Sequence, residues 1–427
     1  MRGSVKLIGL LVVAALAAAA LLTPAGEVPP ADPPPTPAAA PFAVCPLGEA
    51  ARRTTDLSAA GGEGGTIGLR VFSAGEVVVE SDFDVPAPVS NSLILNDLTG
   101  LSRAPVLASL PDPATALESL LSGAGAAASA CDAGSASTVI LPGGTTAEGE
   151  TYSVVLANPF SGSATVSIGA ASEVGTESDP SLAGVIVPPR SVVVVDLSNV
   201  LPGRQSMSAS VTPVVGRVVS SSLQEGSGDL AAVAGVEPAT DWYLPVPAGE
   251  GMSRSVVVAS AGTAEVPFQI DVYSQDGLVE ASYEDTVPAR GQVTIGAADL
   301  FEGAGAVRVV AAAPVAVGLR LGGDGVRAVI PALATPAPTW LLPGAGRLGA
   351  STVYLFNPGE LEVSAEVLSG NGKAVLESVV VPGAAMVQVD ISRRHAARVE
   401  ADGDLVVAWM TTTDDGIAGD GGRPVLP

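Results

Sequence analysis

An all-β fold, built as tandem antiparallel β-sandwich repeats of immunoglobulin-like architecture and about 100 residues each, is what this sequence predicts, and three observations predict it. Turn-like landmarks recur along the chain at a spacing near one hundred residues. Apolar residues make up 47% of the chain but aromatics only 4%, with 50 Gly and 35 Pro, so cores must be built from Val, Ala, Leu and Ile between frequent turns. Alternating or β-branched segments, such as VRVVAAAPVAVGLRL from Val307, RVVSSSLQ from Arg217 and DLVVAWMTT from Asp404, give roughly six to eight short strands per repeat. A β-propeller, with each repeat read as two four-stranded blades, is the competing architecture; no half-length period supports it.

The first landmark is an apolar stretch ending in Leu-Pro: VILPGG from Val139, WYLPVPAG from Trp242 and WLLPGAG from Trp340, with VCPLG from Val44 as a degenerate copy. The second is a strand, a turn and another strand, with Asn158-Pro159 and Asn357-Pro358 at the turn and Ser260-Ala261 in the middle copy. Proline fixes φ there and the Asn side chain can cap the backbone, so a hairpin or strand crossover is expected. The third is Val-Pro before a strand, with prolines at Pro86, Pro188, Pro288 and Pro382.

These landmarks divide the chain into residues 1–26, an export segment; 27–43, a Pro/Ala-rich linker; and repeats at 44–138, 139–239, 240–337 and 338–427. Arg2 and Lys6 precede an uncharged apolar run from Leu7 to Leu22. A basic start before such a run is an export signal, and its length leaves both a cleaved signal peptide and a single-pass membrane anchor open. Either way the remainder is extracytoplasmic, secreted or membrane-anchored, and touches the membrane only through this segment. The prolines of TPAGEVPPADPPPTPAAAP favour an extended spacer.

Cys45 and Cys131 are the two cysteines, and an even pair in an oxidising compartment predicts a disulfide. Closing that loop contributes ~4–5 kcal/mol on a chain-entropy basis. It would clip together the ends of the first repeat, which has no preceding repeat to cover its edge. That repeat also holds a segment, Pro113 to Leu121, that could form a short helix.

The formal charge of -24 repels phosphate backbones and argues against nucleic acid as a partner. His395, the one histidine, lies in SRRHAAR with no nucleophile motif to serve, and reads as an exposed turn residue. Acidic groups at Asp82 and Asp84, at Glu400, Asp402 and Asp404, and at Asp414, Asp415 and Asp420 could bind calcium, but fit no twelve-residue calcium loop and read as turns. Trp242 and Trp340 occupy one repeat position and Trp409 lies near the chain end; packing is the expected role, and stacking on sugars the alternative. Phosphate loops, HExxH and CxxC are absent from the sequence, and no cofactor, metal or catalytic residue is expected.

The basic start, apolar run, Pro/Ala spacer, Cys45-Pro46 and the repeated WxLP, NP and VP landmarks resemble an actinobacterial family of secreted envelope proteins, the domain of unknown function numbered 5719. The resemblance implies a cell-envelope setting and no activity. Together these readings predict a non-enzymatic β-repeat scaffold or protein-binding array. A carbohydrate-binding accessory module is the alternative, so the expected partner is an envelope protein or a surface polysaccharide.

Overall fold

Val-rich alternating segments separated by Gly and Pro fold, among the described residues, into 32 strands, grouped in four modules of one topology. The structure, a computed structural model, describes residues 42–45, 54–61, 65–73, 76–85, 89–94, 106–110 and 115–425, apart from 124, 136, 227, 250, 275–276, 324–325, 371 and 393–395. All lie in the compact unit Pro41–Pro427. The export segment, the spacer before Phe42 and His395 fall outside the described residues.

Module 1 contains β1 (Phe42–Cys45), β2 (Thr54–Gly61), β3 (Gly65–Ser73), β4 (Glu76–Val85), β5 (Val89–Ile94), β6 (Val106–Ser109), β7 (Ala116–Gly123) and β8 (Gly125–Ala130). Its sheets run β1-β6-β3-β4 and β5-β2-β7-β8, all antiparallel. Module 2 contains β9 (Val139–Gly144), β10 (Glu150–Asn158), β11 (Ala164–Ser172), β12 (Gly175–Glu177), β13 (Val185–Val187), β14 (Ser191–Asp196), one helical turn α1 (Leu197–Val200), β15 (Met207–Val215), β16 (Val219–Gly226) and β17 (Asp229–Ala234). Its sheets are β9-β15-β11-β12, with β13 also on β11, and β14-β10-β16-β17.

Module 3 contains β18 (Ala239–Val246), β19 (Ser253–Ala259), β20 (Val266–Ser274), β21 (Gly277–Val287), β22 (Gln292–Gly296), β23 (Gly305–Gly323) and β24 (Val326–Pro331). Module 4 contains β25 (Ala337–Leu342), β26 (Ser351–Asn357), β27 (Val363–Ser369), β28 (Val375–Val381), β29 (Ala385–Ile391), β30 (Ala397–Thr413), β31 (Gly416–Gly421) and β32 (Arg423–Pro424). Here the long strands β23 and β30 serve both sheets. The first half of β23 pairs with β18 and β20, and its second half with β19 and β24; β30 divides in the same way between β25 and β27, then β26 and β31.

Each module is a sandwich with one core between its sheets. In module 2, Leu141 from β9, Val166 and Ile168 from β11 and Val211 from β15 pack against Tyr152, Val154 and Leu156 of β10. A shared core rules out the two-blade reading. The segment expected to be a short helix forms β7 instead from Ala116 onward, because it is held between β2 and β8 and that pairing overrides the helix propensity of its Ala and Leu residues. β1 begins at Phe42, inside the stretch assigned to the spacer.

In modules 2 and 4, Asn-Pro and Val-Pro meet at one end of the sandwich. Asn158 Nδ2 donates to the carbonyls of Gly162 at 2.8 Å and Val187 at 3.0 Å, while its Oδ1 accepts from Phe160 N. Asn357 repeats the arrangement with Leu361, Val381 and Gly359. Ser260, in the middle copy, keeps only the bond from Gly262 N. The turn is a crossover between sheets, since β10 and β11 belong to different ones. The second residue after Val-Pro adopts positive φ in three modules, 51° at Arg190, 50° at Arg290 and 54° at Ala384. Its N–H donates to the neighbouring turn carbonyl of Phe160, Gly262 or Gly359.

The modules close on themselves. β8 packs on β17, β17 on β24, β24 on β31 and β31 back on β8, so the four last core strands form a ring. The edge of module 1 expected to lack a covering repeat is therefore covered by module 4. A second contact repeats four times around the ring: the residue before Leu-Pro or Cys-Pro packs on the residue before the turn in the next module. The pairs are Val44 with Ala157, Ile140 with Ala259, Tyr243 with Phe356, and Leu341 with Ala60.

Asn357→Ala removes three hydrogen bonds, one of them to the buried carbonyl of Val381, and a loss of about 2–3 kcal/mol is expected by urea unfolding, well above that of Ser260→Ala.

Candidate functional site at the ring axis and module junctions

The strands at the ring centre, GAAASA, DLAAVA, VRAVIP and GIAGDG, are rich in small residues, which lets four backbones approach. β17 begins with Asp229, and the carboxylate, 1% exposed, sits among the starts of all four strands. Its Oδ1 accepts from Ala126 N at 3.0 Å and Leu230 N at 2.7 Å, and its Oδ2 from Arg327 N at 2.6 Å. Ile417 N completes the set. Each donor is the second residue of one of the four strands, so one side chain ties every module together. A Cβ at Gly125 would approach Asp229 Oδ1 to 2.7 Å, which explains glycine there. Burial pushes the Asp229 pKa up, and the four N–H groups oppose that rise.

At the other end of the same strands, Glu118 of β7 meets Asp420 of β31, and both are fully buried. Glu118 Oε2 accepts from Gly344 N at 2.7 Å across the junction between modules 1 and 4, and Asp420 Oδ1 accepts from Gly421 N at 2.8 Å. Ser58 donates to the Pro343 carbonyl at 2.5 Å beside them. Burial raises the pKa of both acids; their mutual repulsion raises Glu118 further, while Arg423 draws both down. A 350 Å³ cavity opens at this end, lined by Asp420 and Arg423 together with Asp132, Glu237, Trp242 and Leu333.

Between modules 2 and 3, Glu150 forms a two-pronged ion pair with Arg327, the second prong at 2.8 Å. Ser206, Ser208 and Gln292 link the same modules by hydrogen bonds. Between modules 1 and 2, Phe42 packs edge-on against Phe160, which Arg217 covers.

The residues singled out in the sequence fall in different places. Cys45 and Cys131 are joined as a disulfide, with Cα atoms 4.4 Å apart. It lies where the chain leaving β8 pairs with β1, through Val44 and Asp132. All three tryptophans are buried: Trp242 donates to Val315 O at 2.9 Å and Trp340 to Leu405 O at 3.0 Å, equivalent carbonyls of β23 and β30, and Trp409 is wholly enclosed. None can present a face to a sugar. Asp402 accepts from Ser364 N, and Asp82 and Asp84 are exposed on β4. Asp420, grouped by sequence with Asp414 and Asp415, is carried by β31 to the axis. No group of three or more possible metal ligands occurs among the described residues. Glu118 and Asp229 carry no sequence motif, and what marks them is position alone.

Glu118 has its pKa raised in the folded state, so its protonated form contributes stability below the ordinary carboxylate value, lost as pH rises through the raised one. Glu118→Gln keeps an acceptor for Gly344 N and cannot ionise. The variant is expected to lose less stability than the wild type between pH 5 and pH 9 (roughly the titration span of such a pair), read by denaturant unfolding at each pH. Glu173 and Glu177, whose pKa values are lowered on balance by their hydrogen bonds, act in the opposite sense in both proteins and cancel.

No curated protein sequence matches this chain. Among solved structures, the crystal structure of a tetra-tandem repeat in the extending region of a large adhesion protein is similar at 15% identity, over 86% of this chain and 94% of that one, with a TM-score of 0.11. A score that low carries no argument. The model of a family of unknown function, DUF5719, matches residues 114–327, from β7 through the start of β24, half of the sequence. The chain belongs to the DUF5719 family.

Proposed function

We infer that this chain is a non-enzymatic scaffold of the cell envelope, a closed β ring carried outside the cytoplasm on a Pro/Ala spacer, in the actinobacterial setting that the sequence resemblance implies. The observation that carries this reading is where the buried ionisable groups are used. Asp229, Glu118 and Asp420 each bind backbone N–H groups that include one from another module. Their chemistry holds the ring shut, as befits a rigid body that presents its outer surface. The basic start and apolar run support export. The disulfide, set where the first module's chain ends pair, suits an oxidising compartment.

The full chain, expressed in its host and fractionated with and without reductant, tests this. Protease accessibility of residues 42–425 from outside intact cells, a free-thiol count of zero before reduction, and cross-links from the ring surface to envelope proteins or wall polymer are expected. A cytosolic, fully reduced chain would sink the reading.

A further inference from the structure

Strand register sets the same two positions side by side at all four junctions. One lies four residues beyond the partner of the residue before the turn, and is Leu120, Leu223, Arg320 or Met410 in modules 1 to 4. The other is the second residue of each ring strand, Ala126, Leu230, Arg327 or Ile417. In modules 1, 2 and 4 both are apolar and buried against the preceding module of the ring. Leu120 and Ala126 join the core of module 4, Leu223 and Leu230 pack with Leu121 and Ala127 of module 1, and Met410 and Ile417 join the core of module 3. Module 3 alone has two arginines there. Guanidinium groups in place of Leu, Met and Ile forgo hydrophobic burial and carry a desolvation cost, so the exchange needs a reason other than stability.

Carboxylates of module 2 satisfy only one of the two. Glu150 binds both prongs of Arg327 and also accepts from Gln224 Nε2 at 3.3 Å. Arg320, half-buried beside them, donates through Nη1 to Gln205 O at 2.7 Å and, among the described residues, is ion-paired with no carboxylate. Glu173, the other acid whose charge reaches it, accepts from Gln205 N and Ser206 N at 3.0 Å each. Burial and the Arg327 charge push the Arg320 pKa down, and the pull of Glu150 and Glu173 does not make up the difference. Gly322 stands opposite Arg327 and two residues from Arg320 on the same face of β23, so it puts no side chain between them. A cavity of 360 Å³ opens there, lined by both arginines, Glu150 and Gly322, with the exposed Gln205 and Ser253 at its rim.

We propose that this cavity is a binding site for one oxyanion, a carboxylate or phosphate group, gripped by the Arg320 guanidinium with Arg327 beside it and the Gln205 amide at the rim. The planar fork of Arg320 matches two oxygens on one carbon or phosphorus, a fit that a spherical chloride ion cannot make. The net charge of -24 repels anions at long range, so the site selects by this geometry and not by attraction from a distance. It stands independently of the scaffold reading, because binding by the purified chain requires neither export nor an envelope partner.

NMR of the full chain, titrated with sodium phosphate and separately with sodium acetate at an ionic strength held constant with sodium chloride, is the test. Saturable shifts of the Arg320 Nε–H and of the Gly322 and Ser253 amides are expected, and the salt that saturates at the lower concentration tells a phosphate-bearing ligand from a carboxylate-bearing one. Arg320→Met installs the residue that module 4 carries at this place, and binding followed on the two amides should weaken roughly tenfold or more. Arg320→Lys keeps the charge and loses the fork, so it should weaken binding about three- to tenfold, and it carries the test if the methionine variant fails to fold. Shifts that do not saturate with either salt, or binding unchanged by both substitutions, would overturn the proposal.

Discussion

Four backbone N–H groups, one from the last core strand of each module, converge on the carboxylate of Asp229. An amide N–H buried without a partner costs roughly 1–3 kcal/mol, so four of them brought together need one acceptor able to satisfy them all. A carboxylate has the lone pairs to do so. The residues around it follow from the need for close approach: Gly125 and Gly416 stand where any side chain would collide with Asp229, and the alanines of β8 and β17 keep the strands thin. The high Ala and Gly content of the chain has part of its physical cause here.

Closing a ring of modules differs from stacking a solenoid. Three junctions are joined by the chain itself, and the fourth, between modules 4 and 1, is held by packing and hydrogen bonds alone. That junction carries the buried Glu118–Asp420 pair, the Ser58–Pro343 bond and the contact of Leu341 with Ala60. A carboxyl pair shares a proton readily and makes a weak clasp once both are ionised. The bond between Cys45 and Cys131 lies in module 1, one of the two modules that form this unlinked junction.

Much of the module was legible in the sequence, because turn chemistry is local. Asn158 and Asn357 cap their turns with the same three bonds, and Trp242 and Trp340 are anchored to equivalent carbonyls. Where local signals mislead, pairing decided otherwise: the residues that suggested a helix are held as β7 between two strands. Ring closure was not legible, since it joins Ala60 to Leu341 and Glu118 to Gly344, across most of the chain. Asp229, in a Gly-Ser-Gly-Asp stretch, looks like any acidic turn residue until its three distant donors are placed around it.

Amide hydrogen exchange of the wild type and of Asp229→Ala tests the closed ring most directly. In the wild type the amides of Ala126, Leu230, Arg327 and Ile417, which lie in four different modules, should be protected together. In the variant all four should lose protection while strands remote from the axis keep theirs. If Ala126 and Ile417 exchange at the same rate in both proteins, the modules do not share Asp229 and the ring account is wrong.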